Sequence, residues 1–356
     1  MLTGIAICYL RITGRGLIDA LEDNTGSRLV ELTEWLANDA GIADPKPVPA
    51  SEDASFRRYF RVRTDGGTAI AMDAPPDRED SRRFIEIAGF LERIGVNSPR
   101  VLAAAPERGF LLLSDLGSTP YLAALKTDPT RADVLYGDAL TALVAIQEQG
   151  RACQAQLPPY DETLLSFELS LFRDWLCGRH LGIALGGGEE AAWNACCRNL
   201  VENALRQPRV FVHRDYHSRN LMVTDTANPG ILDFQDAVEG PVTYDLVSLL
   251  KDCYIRWPAA RVRSWALHFH AALDPAVHRH TPADEFLRAF ELMGVQRHLK
   301  AAGIFARLMH RDGKPGYLDD VPRTLAYIVE LAPRYDELAF LAGLISEQVL
   351  PRLAGK

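Results

Sequence analysis

Leu29, Leu32, Trp35 and Leu36 recur at helical spacing from Ser27, and the segment holding Pro45, Pro47 and Pro49 stops that period, so a first helix is predicted there. The stretch SFRRYFRVRT then alternates, with Phe56, Phe60 and Val62 on one side, and TAIAMD follows after Asp65, Gly66 and Gly67. Alternation around a glycine-rich turn predicts an antiparallel hairpin. Ser81 opens a helix carrying Phe84, Ile85, Ala88 and Leu91, and VLAAA and GFLLL read as two further strands ending at Ser114–Gly117. From Tyr121 the pattern is mostly helical, with long periodic runs near 131–149, 165–178, 189–206 and 284–309, interrupted around 209–234 by short β-like segments. No period of 20–50 residues repeats. The expectation is an α+β chain: an extension over residues 1–26, a small sheet-bearing lobe over 27–117, and a helical lobe over 118–356.

Composition narrows the class of partner. The 356 residues are 47% hydrophobic and 24% charged, ordinary for a chain that folds by core burial, and the net charge of -8 with a pI near 5.6 argues against nucleic acid, whose phosphates demand clustered Lys and Arg. Within Lys251–Arg323, however, 12 Lys and Arg stand against 8 Asp and Glu, a local excess that favours an anionic over a polycationic acceptor. Six cysteines (Cys8, Cys153, Cys177, Cys196, Cys197 and Cys253) form no CxxC pair and no alternating framework, so they read as reduced thiols of a cytoplasmic protein. The N-terminal apolar run has no basic residue ahead of it and is too short to span a bilayer, so neither export nor a membrane partner is expected.

The chemistry concentrates in VFVHRDYHSRNLMV and GILDFQDA. Asn220 follows Asp215 by five residues and Asp233 follows Asn220 by thirteen, each in a short polar loop next to apolar strand-like residues. Phosphoryl transfer needs a carboxylate to accept the hydroxyl proton and hard oxygen ligands to hold magnesium against the phosphates. Asp215 suits the first task, Asn220 and Asp233 the second. The segment resembles the H-x-D-x-x-x-x-N and D-F-x loops of protein kinases. It is more similar to the H-x-D-x-H-x-x-N signature of aminoglycoside phosphotransferases and choline kinases, where His217 is the discriminating residue. The resemblance implies a two-lobed, protein-kinase-like fold, ATP and Mg2+ as cofactors, and a small-molecule acceptor. In it Asp245 of GPVTYDL braces the catalytic loop, with His213 and His217 also in support. The segments SFRRYFRV, AMDAPP, GFLLLSDLG, DFQDAVEGPVTYDL and GIFARLMHRDGKPGYL resemble, in that order, the anomeric N-acetylmuramate/N-acetylglucosamine kinases of bacterial cell-wall recycling. An aminoglycoside, choline or homoserine-type acceptor is the alternative within the superfamily, and a nucleotide-binding pseudokinase is the alternative of another class.

The chain also departs from the kinase pattern. Where these folds carry a third-strand lysine, TAIAMD offers Met72, and no GxGxxG loop precedes it. Arg57, Arg58 and Arg61 on the neighbouring strand are the candidates to replace the lost cation, because guanidinium forks suit phosphate oxygens. Ser114, Asp115 and Leu116 occupy the place of the adenine-binding hinge by resemblance, with Ile70 and Leu113 lining the slot. Asp252, Arg311 and Lys314 lie in family-like segments and are the expected acceptor contacts.

Overall fold

The computed structural model describes residues 16–51, 56–275 and 281–355. Residues 1–15 of the expected extension lie outside this range. Contacts divide the described chain into two units. The first comprises the residues up to Glu86 with Arg100–Asp115, and the second Ile87–Pro99 with everything from Leu116 onward.

In the first unit, helix α1 (Gly16–Asn38) precedes strands β1 (Val48–Ser51), β2 (Arg58–Thr64) and β3 (Gly67–Asp73), helix α2 (Ser81–Arg93), and strands β4 (Val101–Ala105) and β5 (Phe110–Ser114). The five strands form one antiparallel sheet in the order β1-β2-β3-β5-β4. The hairpin falls where the turn residues place it, with Thr64 paired to Gly67 across Asp65 and Gly66. Because side chains alternate along a strand, β2 and β3 each offer two faces. Phe60, Val62, Ala69 and Ala71 join Phe110 and Leu112 in a core covered by Leu32, Trp35 and Leu36 of α1. Arg61, Ile70, Met72, Leu111 and Leu113, linked by cross-strand register, take the opposite face.

Three expectations change. α1 begins eleven residues before Ser27, running through Gly26, since an interior glycine weakens a helix by only about 1 kcal/mol relative to alanine and does not stop it. Pro49 lies within β1, an edge strand, where a missing N–H is tolerated. Phe56 precedes β2 and is exposed, with Arg78 over its ring, rather than sharing the core with Phe60.

The second unit is mostly helical. Its helices include α3 (Tyr121–Thr127), α4 (Ala132–Gln149), α5 (Arg151–Gln154), α6 (Glu162–Leu171), α7 (Gly187–Leu205), α8 (Tyr244–Leu250), α9 (Ala259–Ala272), α10 (Ala283–Asp312) and α11 (Val321–Leu331). The helical run expected over 165–178 becomes π-helical from Phe172 to His180. The 30-residue α10 packs against α6, α7, α8, α9 and α11. At its crossing with α6, a Cβ on Gly303 would sit 2.3 Å from the carbonyl carbon of Leu171, so only glycine permits this approach. Residues three and seven positions before Gly303, Lys300 and Gln296, share its helix face and are thereby carried against α6. Two small ribbons complete the unit: β6 (Arg209–Val212) with β9 (Val238–Pro241), and β7 (Leu221–Met222) with β8 (Gly230–Ile231). The C-terminal end of α2 belongs here through Phe90, which stacks on Phe211 of β6 at 5.6 Å, and the Asn97 carbonyl, which accepts from Ile231 N at 2.8 Å. No helix among the described residues is long and apolar enough to cross a membrane.

Candidate active site

The ribbons β6-β9 and β7-β8 hold two loops together. The first, His213–Asn220, leaves β6 and enters β7, and the second follows β8 and carries Asp233. Leu232 N donates to the Asn220 carbonyl at 2.9 Å and joins them. Within the first loop, His217 N bonds the Asp215 carbonyl at 3.0 Å and Asn220 N bonds the His217 carbonyl at 2.9 Å, forming a tight turn. Asn220 Nδ2 spans both loops, 3.0 Å from the Asp215 carbonyl and 3.2 Å from Asp233 Oδ2. Gln235 Nε2 donates to the other oxygen, Asp233 Oδ1, at 2.8 Å. Asp215, Asn220 and Asp233, separated in sequence by up to 18 residues, thus converge.

Arg214 and Asp233 both adopt positive φ, 78° and 63°, which costs a non-glycine residue about 1 kcal/mol or more. Anchors on every side hold Arg214 there. The buried Asp245 carboxylate accepts from His213 N at 2.6 Å and Arg214 N at 2.9 Å. The Arg214 guanidinium reaches Glu168 Oε1 of α6 at 2.5 Å. Asp252 supports the far side of the loop, accepting from Ser218 N at 3.0 Å and Ser218 Oγ at 2.5 Å, while its other oxygen takes Tyr254 N at 2.8 Å. Asp252, expected as an acceptor contact, is therefore corrected: it is fully buried, with one oxygen occupied by Ser218 of the loop and the other by Tyr254 N.

The electrostatics set Asp215 apart. Burial works to raise its carboxyl, but Lys300, His217, Arg297 and Arg214 outweigh that and hold it down at about 2, so it is ionised at neutral pH. Asp245 goes the other way, pushed up to about 7 by burial against its two amide donors. Burial lowers His213 to about 4, leaving a neutral ring whose Nδ1 accepts from Asp215 N at 3.3 Å. His217 is also lowered by burial, and its ring meets Tyr254 edge-on at 5.4 Å.

Behind Asp215 lies a charged network that sequence reading missed. Glu168 is buried and faces Arg214 and Lys300 through Oε1, the latter at 3.1 Å, and Tyr160 and Gln296 through Oε2. Lys300 Nζ also donates to the Tyr244 hydroxyl at 2.8 Å. The available signal was Gln296, Arg297, His298 and Lys300, four polar residues around Leu299 within the long helical run, every one of which is buried.

Among the described residues no group of three or more His, Cys, Asp or Glu is disposed to hold a metal ion. Asn220 and Asp233 nevertheless lie side by side, Asn220 Nδ2 donating to Asp233 Oδ2 at 3.2 Å, and each carries a hard side-chain oxygen; Mg2+ is commonly bound by one or two protein oxygens with phosphate and water completing its shell. The donor set fits that ion.

The remaining expected residues lie in the first unit or near the end of α10. Asp73, fully buried on the α1 face, binds Arg28 Nε at 3.0 Å and Arg58 Nε at 3.1 Å, and Met72 is buried on the other face. Arg57 pairs with Glu79 at 2.8 Å. Arg61 forks onto Asp115 at 2.6 and 3.1 Å, and Thr68 Oγ1 joins the same carboxylate at 2.8 Å. Ser114 Oγ accepts from Arg100 N at 2.9 Å, and Leu116 starts the second unit. Arg311 is exposed and paired with Asp312 at 2.7 Å, and Lys314 follows the left-handed Gly313 that ends α10.

Residues 47–290 match the profile of the phosphotransferase enzyme family. A Pseudomonas aeruginosa protein named N-acetylmuramate/N-acetylglucosamine kinase is 52% identical over 307 residues, covering 84% of this chain and 87% of its own. A Pseudomonas putida protein of the same name is 47% identical over 331 residues, 90% of this chain and 96% of its own. Among solved structures, ADP-bound aminoglycoside phosphotransferase APH(2'')-Ib superposes with a TM-score of 0.55 at 16% identity, over 83% of this chain and 97% of its own. A Plasmodium vivax ethanolamine kinase gives 0.59 at 11%, over 88% and 89%. Those two likenesses establish the two-lobed, protein-kinase-like α+β fold, and with a profile match spanning both loops and relatives identical at about half their positions, the chain belongs to the phosphotransferase enzyme family.

Proposed function

We propose that the chain transfers the γ-phosphoryl group of ATP to the anomeric hydroxyl of N-acetylmuramate or N-acetylglucosamine, in the cytoplasm, as a step of cell-wall recycling. The observation that carries this reading is the convergence of Asp215, Asn220 and Asp233 in a chain so similar to relatives named for those sugars. Asp215, ionised and partly exposed, accepts the proton of the attacking hydroxyl as the new P–O bond forms and the bond to ADP breaks. A carboxylate held near 2 is a weak base, which suits a loose transition state in which the nucleophile loses its proton late. An anomeric hydroxyl, more acidic than other sugar hydroxyls, eases that demand. Asn220 and Asp233 would supply oxygens to Mg2+, which when bound neutralises charge on the triphosphate. His213, His217 and Asp245 hold the loop.

For the nucleotide, Arg61 is favoured over Arg57 and Arg58, since of the three it alone shares the sheet face of Ile70, Met72 and Leu113; all three are ion-paired, Arg58 to Asp73, Arg57 to Glu79 and Arg61 to Asp115, so the sheet face and not the pairing separates them. Ser114, Asp115 and Leu116 remain the proposed hinge, and Arg311 and Lys314 remain proposed at the acceptor. Among the described residues Cys153, Cys177, Cys196, Cys197 and Cys253 form no disulfide, and burial pushes Cys177 and Cys197 up to about 12, which makes them unreactive thiols.

ADP release measured with N-acetylmuramate, N-acetylglucosamine, choline, homoserine and kanamycin tests the acceptor, and phosphorus NMR of the product locates the phosphate. Turnover of the two sugars with phosphate on C1 is expected. Phosphate on C6, or turnover only with choline, homoserine or the antibiotic, refutes the acceptor while leaving phosphotransfer standing.

A further inference from the structure

The catalytic loop sorts its side chains. Ser218 turns to Asp252 and Asn220 to Asp233, whereas His217 and Arg219 both lie on Tyr254. The guanidinium carbon of Arg219 is 4.7 Å from the ring centre of Tyr254 and 5.6 Å from that of Tyr317. Phe305 of α10 closes the cluster, stacked on Tyr317 at 5.7 Å and tilted against Tyr254 at 6.2 Å. Arg214, on the same loop, is neutralised by Glu168, but among the described residues no carboxylate lies within ion-pair distance of Arg219, which is exposed. Tyrosine faces and hydroxyls orient a guanidinium without cancelling its charge, and they leave its planar fork suited to a carboxylate.

We infer that Arg219 recognises a carboxylate on the acceptor, with Tyr254 and Tyr317 as the aromatic bed that fixes its orientation. The inference rests on the amino-sugar reading and deepens it. Arg219 follows Asp215 by four residues, so their Cα atoms are at most about 14 Å apart, and the turn between them shortens this. That upper bound admits a hexose whose reacting hydroxyl meets Asp215 while a lactyl ether extends from the ring. Asn220, the adjacent residue, directs its amide to Asp233, where metal and phosphates are proposed, so the two neighbours divide nucleotide from acceptor. N-acetylmuramate carries the lactyl carboxylate and N-acetylglucosamine lacks it, so Arg219 discriminates between two otherwise similar sugars.

The test is the ratio of kcat/KM for N-acetylmuramate to that for N-acetylglucosamine, together with the KM for ATP, in the wild type, R219Q and R219K. The ratio should fall about 10- to 100-fold in R219Q, the loss expected for a hydrogen bond to a charged group, with R219K intermediate because it keeps the charge but not the fork. The KM for ATP should be unchanged. An equal loss on both sugars, a rise confined to the ATP constant, or an unaltered ratio would overturn the inference and leave the amino-sugar reading intact. A wild type inactive on both sugars refutes that reading and the inference with it.

Discussion

Replacing Glu168 by Gln removes the buried carboxylate that faces both Arg214 and Lys300. Burial works to raise this carboxyl, but Lys300 and Arg214 outweigh it and keep it below its ordinary range, so it is charged in the folded protein. The variant keeps shape and most hydrogen-bonding capacity but leaves two buried cations beside a neutral amide. Breaking a buried ion pair in this way is destabilising by about 3–5 kcal/mol. At about 2 °C per kcal/mol for a helical unit of this size, the melting temperature should drop by about 6–10 °C. Removing one cation as well should restore part of the loss, so E168Q/K300M should be more stable than E168Q, with a coupling of about 1–3 kcal/mol in a double-mutant cycle. The deficit should also depend on pH. The stability lent by a carboxyl whose folded value is depressed is present above the unfolded value near 4.5 and is lost as pH falls through the lower folded one. Urea unfolding of the four proteins at pH 7.5 and of wild type and E168Q at pH 4 measures both effects. Additive single mutants, or a deficit as large at pH 4 as at pH 7.5, would refute the view that Glu168 acts by neutralising Arg214 and Lys300.

D215N should leave the fold and ATP affinity intact and lower kcat by about two to four orders of magnitude, read by single-turnover ADP formation, and retention of more than half the activity would remove Asp215 from the base role. D233A should abolish Mg2+-dependent turnover more completely than N220A, with excess Mn2+ partly rescuing only N220A, because a carboxylate contributes charge that an amide ligand does not. A D233A enzyme that titrates with Mg2+ like the wild type would exclude that assignment. R61A should raise the KM for ATP about 3- to 10-fold, whereas R58A should leave that KM unchanged; each should also destabilise by about 1–3 kcal/mol, since Asp115 and Asp73 are largely buried and each loses a guanidinium partner. Equal effects of R58A and R61A on the ATP constant would undo the distinction by sheet face.

Sequence alone determined what near neighbours dictate. The alternation in β2 and β3 and the Asp65-Gly66 turn follow from period-two burial and from the turn-forming preference of Asp and Gly, both set within a few residues, with the positive φ falling on Gly67. Asp215, Asn220 and Asp233 were legible for the same reason: two short ribbons, continuous in sequence, carry them, so spacing nearly fixes geometry. Only the tertiary structure decided the remainder. Period two separates Arg58 from Arg61, but α1 covering one face is what commits Arg58 to Asp73. Nothing near Asp252 in sequence reveals that it is consumed by Ser218, 34 residues away. Glu168 and Lys300 lie 132 residues apart and meet because Gly303 lets α10 approach α6. Arg219 reads as one more loop cation until Tyr254 and Tyr317, from two other segments, are brought beneath it. Periodicity and turn chemistry are local energies that a linear pattern records, whereas the pairing of buried charges is set by which helix faces pack, a choice made by summed contacts across the chain.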